Sequence, residues 1–194
     1  MPRFDRAYYE RYYRNPRTRV YAAEDVDRLC GFVTAYCQHL RLPLRRVLDL
    51  GCGLGYWRDA LAKRAPKARY TGVEVSDYLC EHYGWRKGSV VDFEANGSFD
   101  LVICQGVLQY VSNADAVRAI DNLAGLCRGA LYLEALTRED WHERVDRSRT
   151  DGDVHLRSVR WYRRHLSPHF VDAGGGVFVR RTAGVVMFEL EAHH

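Results

Sequence analysis

The 194-residue chain is predicted to be an α/β protein, a doubly wound and mostly parallel sheet with helices on both faces. Three observations carry this. From residue 45 onward short apolar runs alternate with stretches of helical period. Those runs are mostly apolar without strict alternation, the mark of strands buried on both faces. A glycine-rich turn joins the first run to the helix that follows it.

The elements follow in order. Residues 24–40 put Val26, Leu29, Cys30, Val33, Cys37 and Leu40 on one stripe, with Glu24 and Asp25 at the end where the helix dipole favours negative charge. Strands are then expected at Val47 to Leu50, Tyr70 to Val75, Ser89 to Phe93, Leu101 to Cys104 and Ala130 to Leu136. Between the last two lies a helix from about Asn113 to Arg128, with Ser112 or Asn113 as cap and Gly129 as stop. Val177 to Arg181 and Val185 to Leu190 flank Thr182-Ala183-Gly184, a hairpin signal, so an antiparallel strand is expected to close the sheet.

Composition bounds the function classes. With 47% hydrophobic and 28% charged residues and a net charge of +4, a single ordered domain is expected. At this length a chain buries roughly 70% of its unfolded surface and needs no staple. No run has the roughly 20 apolar residues of a membrane span, and the start has no signal-peptide stretch, so a soluble, cytoplasmic protein is expected. The six cysteines form no CxxC pair, and Pro168 separates His165 from His169, so no metal site is expected. Arginine runs at residues 3–19 and 157–164 are interspersed with acids or aromatics and read as solvated faces, which argues against nucleic acid. His193 and His194 carry no weight.

The first strand runs into Asp49-Leu50-Gly51-Cys52-Gly53-Leu54-Gly55 and then a helical Tyr56-Trp57-Arg58-Asp59. Glycines at a strand-to-helix turn let the backbone approach a ligand and aim amides at it. A dinucleotide fingerprint needs its third glycine at position 56, where this chain has Tyr56. The second strand ends on Glu74, a carboxylate suited to both hydroxyls of a ribose. Asp49 and Glu74 each sit between apolar neighbours, a costly place for a carboxylate without a partner.

VLDLGCGLG, YTGVEVS and FDLVICQGVLQYV, in that order, resemble the class I S-adenosylmethionine-dependent methyltransferases over roughly residues 45 to 136. The resemblance implies a Rossmann-like seven-stranded sheet with an antiparallel last strand, and S-adenosylmethionine over the carboxyl ends of strands one to four, leaving as S-adenosylhomocysteine. By position, Asp49, Gly51, Cys52, Gly53 and Gly55 would hold the methionine end, with Cys52 a small filler. Glu74, beside Val75, would bind the ribose hydroxyls, Asp92 and Phe93 would border the adenine, and Gln105 would line the cofactor or acceptor pocket. The expected division is one domain, 1–194: an N-terminal helical cap or lid (1–40), a cofactor-binding core (45–136), an acceptor-side segment (137–168) and a terminal hairpin (169–194).

Absences narrow the acceptor. Cys104-Gln105-Gly106-Val107 is not a D/N-P-P-Y motif, Ile103 stands where a cysteine-nucleophile loop would have proline, and no double-glutamate loop follows strand four. A small-molecule O-, N- or C-methyltransferase is the leading expectation; methylation of RNA or protein, or a catalytically silent cofactor-binding scaffold, are the alternatives. Tyr8, Tyr9, Tyr12 and Tyr13 form a YYxxYY pattern suited to a lid over a sulfonium or planar acceptor, with Tyr12 as a catalytic candidate. His155 is the first choice as general base. Arg157 or Arg160 offers a guanidinium clamp for a carboxylate or phosphate, so an anionic or aromatic acceptor is expected. Gln109 and Tyr110 would face the same cleft. The chain is expected to be a monomer or homodimer.

Overall fold

The computed structural model describes residues 4–188 and Glu191. Seven strands form one sheet: β1 (Arg46–Leu50), β2 (Arg69–Glu74), β3 (Arg86–Lys87), β4 (Phe99–Gln105), β5 (Cys127–Glu134), β6 (Phe170–Asp172) and β7 (Val177–Arg180). Their spatial order is β3-β2-β1-β4-β5-β7-β6, and β7 runs antiparallel to both of its neighbours while the remaining pairs are parallel. Chain order reverses between β1 and β4, the crevice where open α/β sheets bind ligands.

Strand residues alternate between two cores. Leu48, Leu50, Val102, Cys104 and Leu131 pack with Ile120 and Leu123 of α5 (Asn113–Leu126) and Leu166 of α7 (Val159–Leu166). Val47, Leu101, Ile103 and Ala130 pack instead against Val26, Cys30, Val33 and Cys37 of α2 (Ala23–His39) and Trp57 and Leu61 of α3 (Tyr56–Arg64). Burial on both faces explains why these strands carry apolar residues on both of them, with the buried Asp49 and Asp100 as exceptions. The sheet's N-terminal edge is fastened by Asp100, 1% exposed, which accepts the amides of Arg45 and Arg46, each at 2.8 Å, and the Nε of Arg128 at 2.8 Å. This carboxylate spans β1, β4 and β5, so its burial is compensated by hydrogen bonds.

Three sequence expectations are corrected. Ser89 to Phe93 is a turn, not a strand: Phe93 N donates to Ser89 O at 2.9 Å and Val91 N to Ser89 Oγ at 3.2 Å, while the strand is the shorter Arg86–Lys87 just before it. The serine hydroxyl offers the backbone a local turn that competes with the ladder. Gly129 does not stop a helix. It lies inside β5, where a Cβ would come within 2.3 Å of Asp100 O, so glycine is demanded by strand packing.

The terminal hairpin also lies earlier than expected. It joins β6 to β7 through Ala173-Gly174-Gly175-Gly176, three glycines of positive φ. Residues 185–188 belong to no strand, and the rest of the expected second arm, through Leu190, lies outside the described residues. Near the N-terminus the tyrosine-rich segment is not one regular helix: α1 (Arg6–Tyr9), capped by the Asp5 side chain on Tyr8 N, runs into a π-helical turn, Glu10–Arg14. The described residues also include two short helices, α4 (Asp77–Tyr83) and α6 (Arg138–Glu143).

Gly129→Ala should lower unfolding stability by about 2–3 kcal/mol, the usual cost of overpacking. Gly125→Ala, inside α5 where a Cβ meets nothing within 4 Å, should instead raise it by up to about 1 kcal/mol. Urea midpoints of the two variants check the contrast.

Candidate active site

The turn after β1 is built from left-handed glycines: Gly51, Gly53 and Gly55 have φ of 82°, 52° and 82°. At Gly51 a Cβ would lie 2.3 Å from Val107 Cγ2, so both backbone angle and space require glycine there. The turn is tied to β2 because Gly51 N and Cys52 N both donate to Val73 O, at 2.8 and 3.1 Å. Trp85, unmarked by any motif, supports it from below by donating Nε1 to Gly53 O at 2.9 Å.

Glu74, 3% exposed, organises the loop. Its Oε2 accepts Gly53 N at 3.0 Å, and its Oε1 accepts Val75 N at 2.8 Å, Ser76 N at 3.0 Å and the Tyr9 hydroxyl at 3.5 Å. Asp49, 2% exposed, accepts the Tyr70 hydroxyl at 2.6 Å. Its carboxyl is pushed up to about 7, first by burial and further by the nearby Glu74 charge, with the Tyr70 hydrogen bond pulling the other way. Burial also pushes the Cys52 and Cys104 thiols well above their ordinary value; Cys104, wholly buried in β4, is a packing residue and no nucleophile.

Three cavities meet above the carboxyl ends of the central strands. The first, about 60 Å³, is lined by Asp49, Gly51, Cys52, Trp57 and Gln105. The second, about 220 Å³, is lined by Glu74, Val75, Gly88, Ser89, Val90 and the N-terminal residues Phe4, Tyr8 and Tyr9. The third, about 320 Å³, is lined by Tyr12, Tyr21, Gln109, Glu134, Asp140 and Asp151 among others. Tyr13 and Gly106 line all three. The π-helical turn packs the tyrosine rings against one another there, with centroids 5.4 Å apart for Tyr9 and Tyr13 and 5.0 Å for Tyr8 and Tyr12. Tyr8 and Tyr110 share a hydroxyl–hydroxyl hydrogen bond of 2.9 Å that ties α1 to the 3-10 turn Leu108–Tyr110.

A polar chain crosses the junction. Trp57 Nε1 donates to Gln105 Oε1 at 2.8 Å, and Gln105 Nε2 donates to Glu134 Oε2 at 3.2 Å. Glu134 also accepts the hydroxyls of Tyr21 at 2.5 Å and Tyr132 at 3.0 Å. Sequence reasoning overlooked Glu134, yet the signal was present: it ends the apolar run of β5 as Glu74 ends that of β2. Tyr21 and Trp85 had no such signal, since only the fold brings them to the site.

Other expected site residues lie elsewhere. Arg157, 3% exposed, is no clamp: its Nε donates to Asn113 Oδ1 at 2.9 Å, Nη1 to Leu108 O at 2.7 Å and to the Tyr162 hydroxyl at 3.3 Å, and Nη2 to Val111 O at 2.5 Å. Its guanidinium is spent on the loop after β4. Arg160 is exposed on α7. His155 is exposed and outside the three cavities, touching the site only through its backbone amide, which donates to Gln109 O at 2.8 Å. Asp92 is exposed on its turn and Phe93 packs into the core, whereas Ser89 and Val90 line the second cavity in their place. Among the described residues no cluster of metal-ligating side chains occurs.

Comparison with known proteins meets this geometry. A family described as "Methyltransferase domain" matches residues 47–129, from β1 into β5. Over this core the chain is similar to methyltransferase domains. It is 36% identical over 117 residues to the malonyl-[acyl-carrier protein] O-methyltransferase of Legionella pneumophila, an overlap covering 55% of this chain and 41% of that one. A ubiquinone biosynthesis O-methyltransferase of Xanthomonas campestris is 33% identical over 112 residues, covering 50% and 45%. The matches thus span less than half the length of these curated relatives. In fold, the chain is similar to an amino pentose methyltransferase of Micromonospora echinaspora, with a TM-score of 0.59, 17% identity, and coverage of 84% of this chain and 94% of the other. No helix among the described residues is long and apolar enough to cross a membrane.

Arg157→Leu should cost about 3 kcal/mol of stability, because it leaves the carbonyls of Leu108 and Val111 without their donor. Arg160→Leu should change stability by less than about 0.5 kcal/mol. Urea denaturation of both variants distinguishes an internal tie from an exposed arginine.

Proposed function

We propose that this chain is an S-adenosylmethionine-dependent methyltransferase acting on a small-molecule acceptor. The observation that carries the proposal is the meeting of three cavities at Tyr13 and Gly106, next to a glycine turn with a buried carboxylate on either side. The residues fit the cofactor: the Gly51 backbone lies where any side chain would collide with Val107, leaving room only for a close backbone approach. The buried Asp49 carboxyl, costly to ionise alone, suits an ammonium partner. When bound, the cofactor supplies a methyl group on a positively charged sulfur.

The chain's own residues divide the work. Asp49 and the turn Gly51–Gly55 hold the amino-acid end in the smallest cavity, with Cys52 packed behind them. Glu74 takes the ribose hydroxyls, exchanging hydrogen bonds it makes to Tyr9 and Gly53, and Val75, Ser89 and Val90 border the base. Gln105, held by Trp57 and Glu134, stands between the cofactor and acceptor cavities. Tyr8, Tyr9, Tyr12 and Tyr13 form the lid, which excludes water and confines the acceptor near the methyl group; alignment of this kind supplies much of the rate of an in-line transfer. A lid resting on Glu74 must lift for the cofactor to enter and can settle again over it. Residues 137–168 supply part of the acceptor cavity through Asp140 and Asp151.

Titration with S-adenosylhomocysteine tests the proposal. It should raise the thermal midpoint by several degrees at about 100 times its dissociation constant, a gain of roughly 2.7 kcal/mol, while NADH should not. Glu74→Gln should weaken binding by about tenfold or more. No shift with folded protein would reject the proposal.

Asp49 makes the binding pH-dependent. Its folded value of about 7 is raised above an unfolded value near ~3.9, so the folded chain holds the extra proton between those limits. This group's contribution to stability is therefore greatest at low pH and falls as pH rises through that window. An ammonium partner selects the ionised form, so affinity for S-adenosylhomocysteine should rise by up to about tenfold per unit as pH climbs toward 7, then level off. Calorimetry between pH 5.5 and 8.5 checks the profile, and Asp49→Asn should flatten it.

A further inference from the structure

The wall of the acceptor cavity narrows the acceptor's chemistry, an inference that rests on the methyltransfer reading above. The cavity, about 320 Å³, has three carboxylates and one guanidinium on its wall, Glu134, Asp140 and Asp151 against Arg144. Arg144 lies 3.9 Å from Asp140, whose other oxygen is taken by the Thr137 amide and hydroxyl. Glu134 is different. Its three donors, the Tyr21 and Tyr132 hydroxyls and the Gln105 amide, are all neutral, and among the described residues no cation pairs with it. They fix the direction of the carboxylate without cancelling its charge.

The surroundings favour a cation further. Tyr12, Tyr13 and Tyr21 line the same cavity, and aromatic rings attract positive charge to their faces. Partial burial strengthens an ion pair formed there relative to one in water. An anionic acceptor would meet like charge, and the one buried arginine nearby, Arg157, is already committed to carbonyls. Glu134 ends β5 directly beside Ala135 and Gln105, so its oxygen lies within one side chain of the junction where all three cavities meet.

We propose that the methyl acceptor is an amine, bound as its ammonium form with Glu134 as the counter-ion and the tyrosine rings around it. Before transfer the ammonium gives up one proton, taken by Glu134 on its way to solvent, which frees the nitrogen lone pair. The nitrogen–carbon bond then forms as the carbon–sulfur bond breaks, the bonding pair staying on sulfur. The products are a methylated ammonium, a thioether and one proton released to water, so charge and atoms balance. Glu134 is in this account a catalytic residue, since it touches the acceptor nitrogen.

Three probes of matched size decide the question: benzylamine, benzyl alcohol and phenylacetate, titrated calorimetrically into protein saturated with S-adenosylhomocysteine. Benzylamine should bind at least about tenfold more tightly than the other two, the worth of a charge-assisted hydrogen bond. Glu134→Gln should remove that preference in protein that still binds S-adenosylhomocysteine. Equal or reversed affinities in the unaltered protein, or no measurable affinity for benzylamine, overturn the proposal without recourse to any variant. A Glu134→Gln protein that keeps its amine preference but binds S-adenosylmethionine more weakly than S-adenosylhomocysteine would also overturn it, assigning the carboxylate to the donor's sulfonium. Failure to bind S-adenosylhomocysteine in the first titration step is a separate result, rejecting the methyltransfer reading and this proposal with it.

Discussion

One buried carboxylate holds the site together. Glu74 accepts hydrogen bonds from the glycine turn after β1, from the two amides that follow β2, and from a tyrosine of the N-terminal helix α1. A carboxylate at 3% exposure is tolerable only when its lone pairs are occupied, and here each partner belongs to a segment that the ligand cavity needs. The cost of burying the charge is thus offset by bonds that also set the shape of the turn. Such an arrangement couples the N-terminal helix to the cavity beside Glu74, because a group that replaces the Tyr9 hydroxyl on Glu74 alters what holds that helix down.

The same logic recurs at two other positions along the sheet. Asp100 fastens the N-terminal edge through the amides of Arg45 and Arg46 and the Arg128 guanidinium, far from the cavities. Glu134 stands at the opposite edge, held by neutral donors and facing the largest of the three cavities. The contrast is instructive: the carboxylate with its own arginine is structural, and the one left with neutral partners is where an external charge is welcome. Arginine follows a parallel rule, since Arg157 is saturated by carbonyls and stabilises the loop after β4 rather than serving a ligand.

Much of the architecture was legible because its signals are local or periodic. The stripe Val26, Cys30, Val33 and Cys37 marked α2, and the apolar runs marked β1, β2 and β4 to within a residue or two. Errors arose where a local signal had a tertiary competitor. Ser89 to Phe93 has the apolar content of a strand, but the Ser89 side chain closes a turn. Gly129 resembles a helix stop, but the close approach of Asp100 O explains it. The hairpin was sought at Thr182-Ala183-Gly184, although the stronger turn signal, three successive glycines, lay earlier at Gly174–Gly176. In the site, His155 and Arg157 were chosen for chemical type alone, and type says nothing about which groups a side chain faces.

By itself, then, the sequence determined the parallel sheet, the glycine turn and the two carboxylates near the carboxyl ends of β1 and β2, because each depends on residues adjacent in the chain and on backbone geometry that only certain residues allow. Only the tertiary structure decided how those parts make a cavity. Tyr8 meets Tyr110, Tyr21 meets Glu134 and Trp85 meets Gly53 across 102, 113 and 32 positions of sequence. Contacts at such separations leave no periodic trace, since they are set by packing and charge compensation among segments the chain has already folded.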